Sequence, residues 1–291
     1  MKQKIIFDTD NTFGVPARPI DDGQAILYAL GRDDLEIVGI TTTHGNSSID
    51  HVYDATRWLI SHSGSPDIPV IKGASGPGDY HTPAAAFLAE TVDAAPGEIT
   101  VVAIGTMSNL HGASMIDPGF FGKVKQITAM GGYCHRLPVR GWNNIAEVNL
   151  SRDPKASYTL LYSEAPLILF DAHVCFQVPF GLRELRRWHA FDRRAYYLQL
   201  DYLLSHINEL TEPVDYLWDL LPVVYLSYPE LFNQRQVALK STEEDLKTGT
   251  MRYDLNDGAA GRIITVPDYI TDIDACYEVM YEAWERSPLN Y

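Results

Sequence analysis

Short apolar runs alternate with stretches of helical periodicity through the first half of the chain. The runs predict strands at residues 4–7, 35–42, 70–72, 100–104, 126–130 and 167–170. The periodic stretches between them predict helices at residues 22–30, 49–63, 83–92 and 153–163. This alternation of strand and helix indicates a mostly parallel sheet that is covered by helices on both faces.

The second half of the chain is richer in helical patterns. Helices are predicted at residues 182–189, 194–210, 216–226 and 273–286, and a β-ribbon at residues 245–266 with an Asn-Asp-Gly turn at 256–258. The sequence contains no internal repeat and no Gly/Ser-rich linker. We therefore predict one α/β domain over residues 1–291, built on a single open, Rossmann-like sheet.

Four segments of small and polar residues directly follow predicted strands. They are FDTD at 7–10, THGN at 43–46, IGTMSN at 104–109 and MGGYC at 130–134. Ligands of open α/β sheets bind at the carboxyl ends of the strands. These four segments are therefore expected to line one cleft.

Composition narrows the classes of partner. The chain has 23 Lys and Arg against 38 Asp and Glu, a formal net charge of -15, which would repel nucleic acid and anionic membranes. A neutral or cationic small substrate fits better. Cys134, Cys175 and Cys276 share no C-x-x-C spacing, and no apolar stretch approaches the roughly 18 residues of a membrane-spanning helix. These features favour a cytoplasmic location without disulfides.

Two pairs of aspartates are the strongest chemical signal near the N-terminus. Asp8 and Asp10 follow the first predicted strand, while Asp21 and Asp22 open the first predicted helix. Either pair alone could serve as turn or helix-cap chemistry. Together at one sheet edge they would repel each other, and a hard divalent cation with oxygen ligands would relieve that repulsion. Residues 11–20 between the pairs are predicted to be a loop that closes over the site.

The N-terminal segment also fits a different class of enzyme. IIFDTDNT, at residues 5–12, matches the strand and D-x-D-x-T signature of haloacid-dehalogenase-like phosphatases. In that interpretation Asp8 would be the nucleophile and magnesium the metal. The final acidic motif of that class is missing from the sequence, so this interpretation is a remote alternative.

Five downstream motifs resemble the inosine-uridine nucleoside hydrolase family. They are THGN at 43–46, AMGG at 129–132, AEVN at 146–149 with Asp153-Pro154 after it, Trp218-Asp219, and ITDID at 270–274. The resemblance implies the nucleoside hydrolase fold and calcium-dependent cleavage of a ribonucleoside to ribose and free base. It also implies a homodimer or homotetramer.

The resemblance implies a role for each matching residue. It implies calcium ligands from three carboxylates and one backbone carbonyl: Asp10, Asp22, Asp219 and Ile104. Asp10 would also be the general base that activates water. The side chains implied to contact ribose are Asp21, Asn46, Met130, Glu147 and Asn149. Oxygen ligands suit calcium, and carboxylate and amide oxygens suit hydroxyl donors.

Recognition of the nucleobase departs from the most familiar family members. Trp218 occupies the position where many members have a histidine that acts as general acid, and its ring can stack on a base but cannot supply that proton. This favours a purine nucleoside. His81, with Tyr80 beside it in the loop at 76–82, matches the position of mobile base-contacting residues.

Two further departures remain open. The loop at 11–20 is longer than is usual in the family and includes Arg18. The usual asparagine that contacts the 5′-hydroxyl falls at Arg140-Gly141, where Asn143 or Asn144 could substitute. These departures motivate a second hypothesis, a nucleoside- or ribose-binding protein that has lost turnover.

Overall fold

The computed structural model describes residues 2–134, 147–188, 194–205, 214–255 and 260–287. Its strands, in chain order, are β1 Gln3–Thr9, β2 Leu35–Thr42, β3 Val70–Lys72, β4 Ile99–Ala103, β5 Gln126–Met130, β6 Tyr133–Cys134, β7 Leu167–Phe170, β8 Pro179–Gly181, β9 Val214–Tyr216, β10 Phe232–Leu239, β11 Thr250–Met251, β12 Tyr253–Leu255 and β13 Ile263–Ile270.

The α-helices lie mostly between these strands. They are α1 Asp21–Leu30, α2 Ile49–His62, α3 Pro83–Ala94, α4 Ser108–Ile116, α5 Phe120–Lys123, α6 Val148–Ser151, α7 Pro154–Leu161, α8 Ala172–Cys175, α9 Leu182–Arg187, α10 Arg194–Ser205, α11 Leu221–Ser227, α12 Glu243–Leu246 and α13 Ile273–Arg286, with a 3-10 helix at Pro229–Leu231. Among the described residues, no helix has both the length and the apolar character needed to cross a membrane.

Nine of the described strands form one sheet in the order β12-β10-β13-β7-β5-β4-β1-β2-β3. The strands from β13 through β3 run parallel, whereas β10 is antiparallel to β13 and β12 is antiparallel to β10. The predicted open, mostly parallel sheet is therefore confirmed. Antiparallel strands are confined to one edge of it.

Helices cover both faces of the sheet, as the apolar strand sequences require. Ile5 and Phe7 pack into one core cluster and Ile6 packs into a second, because successive side chains of a strand point to opposite faces. All three side chains are fully buried. A strand that is buried on both faces has no polar alternation, which is why residues 5–7 are uniformly apolar.

The register brings the carboxyl ends of the central strands level with one another. Asp8 pairs with Thr41 on β2 and with Ala103 on β4, and Ala103 pairs with Ala129 on β5. The chain leaves β1 toward β2 on one side, and β4 lies on the other side. The direction of strand order therefore reverses at β1, where open α/β sheets have their ligand crevice.

Most predicted elements are confirmed to within two residues at each end. This holds for all six strands and four helices of the first half, for the helix at 182–189, and for α13. The helix predicted at 194–210 is confirmed through Ser205, and its remainder lies outside the described residues.

Two predictions for the second half are wrong. Residues 216–226 do not form one helix, because β9 extends to Tyr216 and α11 begins only at Leu221, where Pro222 fits a first helical turn. Residues 245–266 do not form a ribbon, because β12 and β13 both pair with β10 rather than with each other. The sequence interpretation did not include β10. The turn predicted at 256–258 lies outside the described residues.

Candidate active site

A pocket opens at the carboxyl ends of the central strands. Seven of the residues that the sequence predicted for the site line it: Asp21, Asn46, Met130, Glu147, Asn149, Trp218 and Asp219. Six further residues line it: Pro19 from the predicted loop at 11–20, Tyr133 from the MGGYC segment, and Val148, Ala172, Tyr202 and Asp215. The fold therefore brings together residues that are spread over 200 positions of the sequence, from residue 19 to residue 219.

Three buried carboxylates meet at the base of this pocket. Asp21, Asp22 and Asp219 each present a carboxylate oxygen, and these oxygens all lie within 4.8 Å of one another. Among the described residues, no donor reaches either oxygen of Asp21 or Oδ1 of Asp219. Unsatisfied buried carboxylates at this spacing cost free energy unless a cation neutralises them.

The electrostatics of the cluster lead to the same conclusion. Burial, and then the neighbouring Asp21, raise the pKa of Asp22 to about 7. Burial and the surrounding carboxylates raise the pKa of Asp219 well above its usual value. The orphaned oxygens and the all-oxygen donor set fit a hard divalent cation of the calcium type.

Asp10 lies next to this cluster and is held by Asn46. The backbone N–H of Asn46 donates to Asp10 Oδ2 at 2.6 Å, and its side-chain amide donates to Asp10 Oδ1 and to Asp22 Oδ2, both at 3.3 Å. Asn46 therefore joins the two aspartate pairs. Asp10 and Asp22 are fully buried and are not themselves among the residues that line the pocket.

The glycine of THGN is required by the close approach of Asp10. A Cβ atom at Gly45 would lie 1.9 Å from Asp10 Oδ2, and the φ of Gly45 is +156°. No side chain fits there without moving the carboxylate. The motif places Asn46 correctly because its preceding residue has no side chain.

Gly45→Ala is accordingly expected to destabilise the protein by roughly 2–4 kcal/mol, since it combines overpacking with an unfavourable φ. Gly97→Ala is a matched control, because Gly97 has a φ of +76° but open space where its Cβ would be. The control is expected to lose only about 1 kcal/mol. Thermal or urea unfolding measures both, and equal losses would contradict the packing argument.

Asp8 supports the site from below. Its Oδ1 accepts hydrogen bonds from Thr41 Oγ1 at 2.6 Å and from Asn109 Nδ2 at 2.8 Å. Its backbone carbonyl accepts from the N–H of Ile104 at 2.8 Å, which ties the end of β1 to the end of β4. Asp8 is fully buried, does not line the pocket and does not belong to the carboxylate cluster.

Glu147 and Asn149 also line the pocket. Glu147 caps α6, with Oε1 accepting from the N–H of Asn149 at 2.6 Å and Oε2 from that of Leu150 at 2.9 Å. Asn149 Nδ2 donates to the carbonyls of Ile104 at 3.1 Å and Met130 at 3.3 Å. Burial raises the pKa of Glu147 to about 7. The AEVN motif thus connects the ends of β4 and β5.

Trp218 is a half-buried pocket residue within an aromatic group. Phe176 and Tyr216 pack against its ring at centroid distances of 4.9 and 5.4 Å, with the Phe176 ring edge-on. These contacts fix the indole in the wall.

Of the remaining predicted residues, His81 is not brought to the pocket. His81 is exposed and is not a lining residue, whereas Tyr80 is buried and donates from its hydroxyl to Asp153 Oδ1 at 3.1 Å. In the loop at 11–20, Arg18 is exposed and Pro19 lines the pocket. Asn143 and Asn144 lie outside the described residues.

Comparison with known proteins agrees with this geometry. The family model described as inosine-uridine preferring nucleoside hydrolase matches residues 5–278. The chain belongs to this family. The match over nearly the whole chain replaces the phosphatase interpretation, and it accounts for the order of the five motifs.

Individual family members are similar to this chain at moderate identity. Uridine nucleosidase 1 of Arabidopsis thaliana is 35% identical over 207 residues, which is 60% of this chain and 58% of that protein. Probable uridine nucleosidase 2 of Oryza sativa subsp. japonica is 27% identical over 290 residues, covering 87% and 82%. The matched part thus spans less than two thirds of the Arabidopsis protein.

Solved structures of nucleoside hydrolases share the fold. A plant nucleoside hydrolase superposes with a TM-score of 0.84 at 24% identity, covering 98% of this chain and 99% of its own. The purine-preferring ribonucleoside hydrolase from Gardnerella vaginalis gives 0.84 at 22% identity, covering 99% and 100%. These similarities confirm the nucleoside hydrolase fold.

The sequence interpretation missed Asp215 and Tyr202 as pocket residues. Asp215 lies on β9, at residues 214–216. The sequence predicted a helix from residue 216 onward and assigned no element to residues 214 and 215. The buried position of Asp215 between the half-buried Val214 and Tyr216 follows strand alternation, which a three-residue strand is too short to reveal in a sequence.

Proposed function

We propose that the chain hydrolyses the N-glycosidic bond of ribonucleosides and releases ribose and a free base. The observation that carries this proposal is the cluster of Asp21, Asp22 and Asp219 in a pocket that is also lined by Asn46, Glu147 and Asn149. A carboxylate cluster that can bind a cation, beside acceptors for hydroxyl groups, suits a polyhydroxylated sugar. The proposal also includes one domain over residues 1–291, which the single large sheet from β1 to β13 supports.

The ligands proposed for the cation are Asp10, Asp22, Asp219 and the carbonyl of Ile104, and the cation proposed is calcium. Asp10 and Asp22 share the side-chain amide of Asn46, and Asp22 lies within 4.8 Å of Asp219. When bound, calcium lowers the pKa of a coordinated water and neutralises the carboxylates.

Asp21 is proposed to hold ribose rather than the cation. Both of its oxygens are free of donors among the described residues, and it lines the pocket. It also belongs to the tight oxygen cluster, so sugar and cation sites adjoin. Asp21, Asn46, Glu147 and Asn149 would accept or donate to the hydroxyl groups, and Met130 would pack against the ring. A buried site of this kind rejects sugars that lack the hydroxyls.

Asp10 is proposed as the general base. Its carboxylate is fixed by the backbone and the side chain of Asn46, so its direction does not depend on substrate. Without a bound cation, burial and the nearby Asp22 raise the pKa of Asp10. Asp10 would take a proton from water as that water attacks the anomeric carbon. The electron pair of the breaking C–N bond would leave with the base.

Trp218 supports a preference for purine ribonucleosides, because a fixed indole in the pocket wall can stack on the larger base. Among relatives, the names uridine nucleosidase 1 and probable uridine nucleosidase 2 point instead to uridine. A preference for purine ribonucleosides and a preference for uridine differ in which base gains more binding free energy from stacking on Trp218.

The assay that tests the function measures free base released from inosine, uridine and 2′-deoxyinosine in calcium-containing buffer. We expect release from both ribonucleosides, a kcat/KM for inosine at least fivefold above that for uridine, and almost none from the deoxynucleoside. Trp218→Ala is expected to lower kcat/KM for inosine by about 5- to 100-fold, as loss of a base–aromatic stack does.

Trp218→Phe, which keeps an aromatic face, is the control and is expected to retain most of the activity on inosine. A uridine value above that of inosine would reverse the base preference and leave hydrolysis intact. Saturable binding of inosine with no release of base would favour the nucleoside-binding hypothesis.

A further inference from the structure

Asp215 is a buried carboxylate in the pocket that is neither a proposed cation ligand nor a proposed contact to ribose. It lies on β9, which pairs antiparallel with β8, and only 5% of it is exposed. It lines the pocket together with Tyr202 and Trp218. A carboxylate in so dry a position requires hydrogen-bond donors.

The protein holds this carboxylate in one orientation. Oδ1 accepts from the backbone N–H of Tyr216 at 2.8 Å, and Oδ2 accepts from Gln199 Nε2 at 3.3 Å. Gln199 Oε1 in turn accepts from Gln24 Nε2 at 3.0 Å. Both glutamines are fully buried. A relay of buried amides therefore fixes Asp215.

The relay connects Asp215 to the helix that carries the aspartate cluster. Gln24 belongs to α1, whose first residues are Asp21 and Asp22, while Gln199 belongs to α10. The position of the carboxylate is thereby set relative to the proposed sugar and cation sites. Fixing an acceptor in advance lowers the conformational entropy that its side chain must lose when a ligand binds.

The carboxylate oxygens of Asp215 have unused acceptor capacity in a pocket that Trp218 also lines. Each carboxylate oxygen has two lone pairs, and each has one donor from the protein in the described structure. Asp215 and Trp218 belong to one short segment, residues 214–219, whereas Asn46, Glu147 and Asn149 come from other segments of the chain. Because Trp218 is proposed to stack on the base, a base held there would bring its ring N–H groups toward this segment.

We propose that Asp215 recognises the nucleobase by accepting a hydrogen bond from a ring N–H group. The substrate class is then ribonucleosides whose base has such a donor, as in hypoxanthine, guanine and uracil. This inference rests on the proposed function, and it adds a specificity-determining residue. A base with a bare ring nitrogen at that position would place a lone pair against the carboxylate.

The test compares inosine with purine riboside, which lacks the ring N–H and adds no bulk. The readout is the ratio of the two kcat/KM values in the wild type, in Asp215→Ala and in the isosteric Asp215→Asn. In Asp215→Ala we expect the ratio to fall by roughly tenfold to hundredfold, as leaving a buried N–H donor without its acceptor predicts. Asp215→Asn keeps one acceptor and is expected to give an intermediate ratio.

Asp201→Asn is the matched control, because it removes the same charge from an exposed position on α10. Its ratio is expected to equal that of the wild type. A purely structural role for Asp215 would lower activity on both substrates equally and leave the ratio unchanged, and this result would overturn the proposal. If Asp215→Ala does not fold, the ratio for Asp215→Asn decides.

Failure of the proposed function can be told apart from failure of this inference. If the wild type releases no base from any ribonucleoside, hydrolysis is wrong. The same ratio is then taken from the dissociation constants of inosine and purine riboside, measured by calorimetry. A ratio that falls in Asp215→Ala supports base recognition, and an unchanged ratio refutes it.

Discussion

Asp10→Asn is expected to lower kcat for inosine by about 10²- to 10⁴-fold while KM changes by only a few fold. The loss of kcat is that of a missing general base. KM changes little because Asp10 does not line the pocket and would act on water rather than on the sugar. Steady-state kinetics on folded variant protein, saturated with calcium, measures both constants.

Asp21→Asn is the informative comparison for this result. Asp21 lines the pocket and has two oxygens without donors among the described residues, so its loss should raise KM through weakened ribose binding. If Asp21→Asn instead lost kcat and Asp10→Asn retained it, the base would be Asp21. The roles assigned to the two aspartate pairs would then be exchanged.

Asp219→Asn is expected to change stability in opposite directions with and without calcium. In chelator, removing one of three buried carboxylates relieves repulsion and desolvation, so the variant should unfold at a temperature about 2–5 °C higher than the wild type does. In excess calcium the wild type gains about 2.7 kcal/mol when the ion is at 100 times its dissociation constant. The variant gains less, so the order of stability reverses.

Thermal unfolding in chelator and in millimolar calcium measures this reversal. An equal gain in the two proteins would show that Asp219 does not bind the ion. A wild type that is more stable than Asp219→Asn in chelator would show that the cluster is not strained without a cation.

The central sheet was predictable because its strands are short apolar runs that end at small or polar residues. Burial on both faces makes residues 5–7 uniformly apolar, and the segments FDTD and THGN mark the strand ends. The edge of the sheet was not predictable in the same way. In β10 residues 233–236 are polar and three of them are exposed, so its apolar run is limited to residues 237–239 and the strand was missed.

The site was predictable as far as its residues lie in motifs. Asn46, Glu147 and Asn149 were identified from THGN and AEVN, and the structure brings all three to one pocket. Asp215 lies outside any motif, and its position depends on pairing between β8 and β9, which are far apart in sequence. His81 was placed by position alone, but the local chain directs Tyr80 inward instead.

The two aspartate pairs show the limit of sequence reasoning most clearly. Asp21 and Asp22 are adjacent, and only the orientation of the first turn of α1 decides which carboxylate faces the pocket. The structure places both within the tight oxygen cluster and puts Asp10 beside it. The distances between these carboxylates depend on how the elements pack, so the sequence alone does not predict them.

Calcium-dependent hydrolysis is tested most directly with wild-type protein that is first stripped of metal and then returned to calcium. The measurement is the free base and the ribose that this protein releases from inosine. We expect no release in chelator, restored release on addition of calcium, and equal amounts of base and ribose. Undiminished release in chelator, or no release at any calcium concentration, would contradict calcium-dependent hydrolysis.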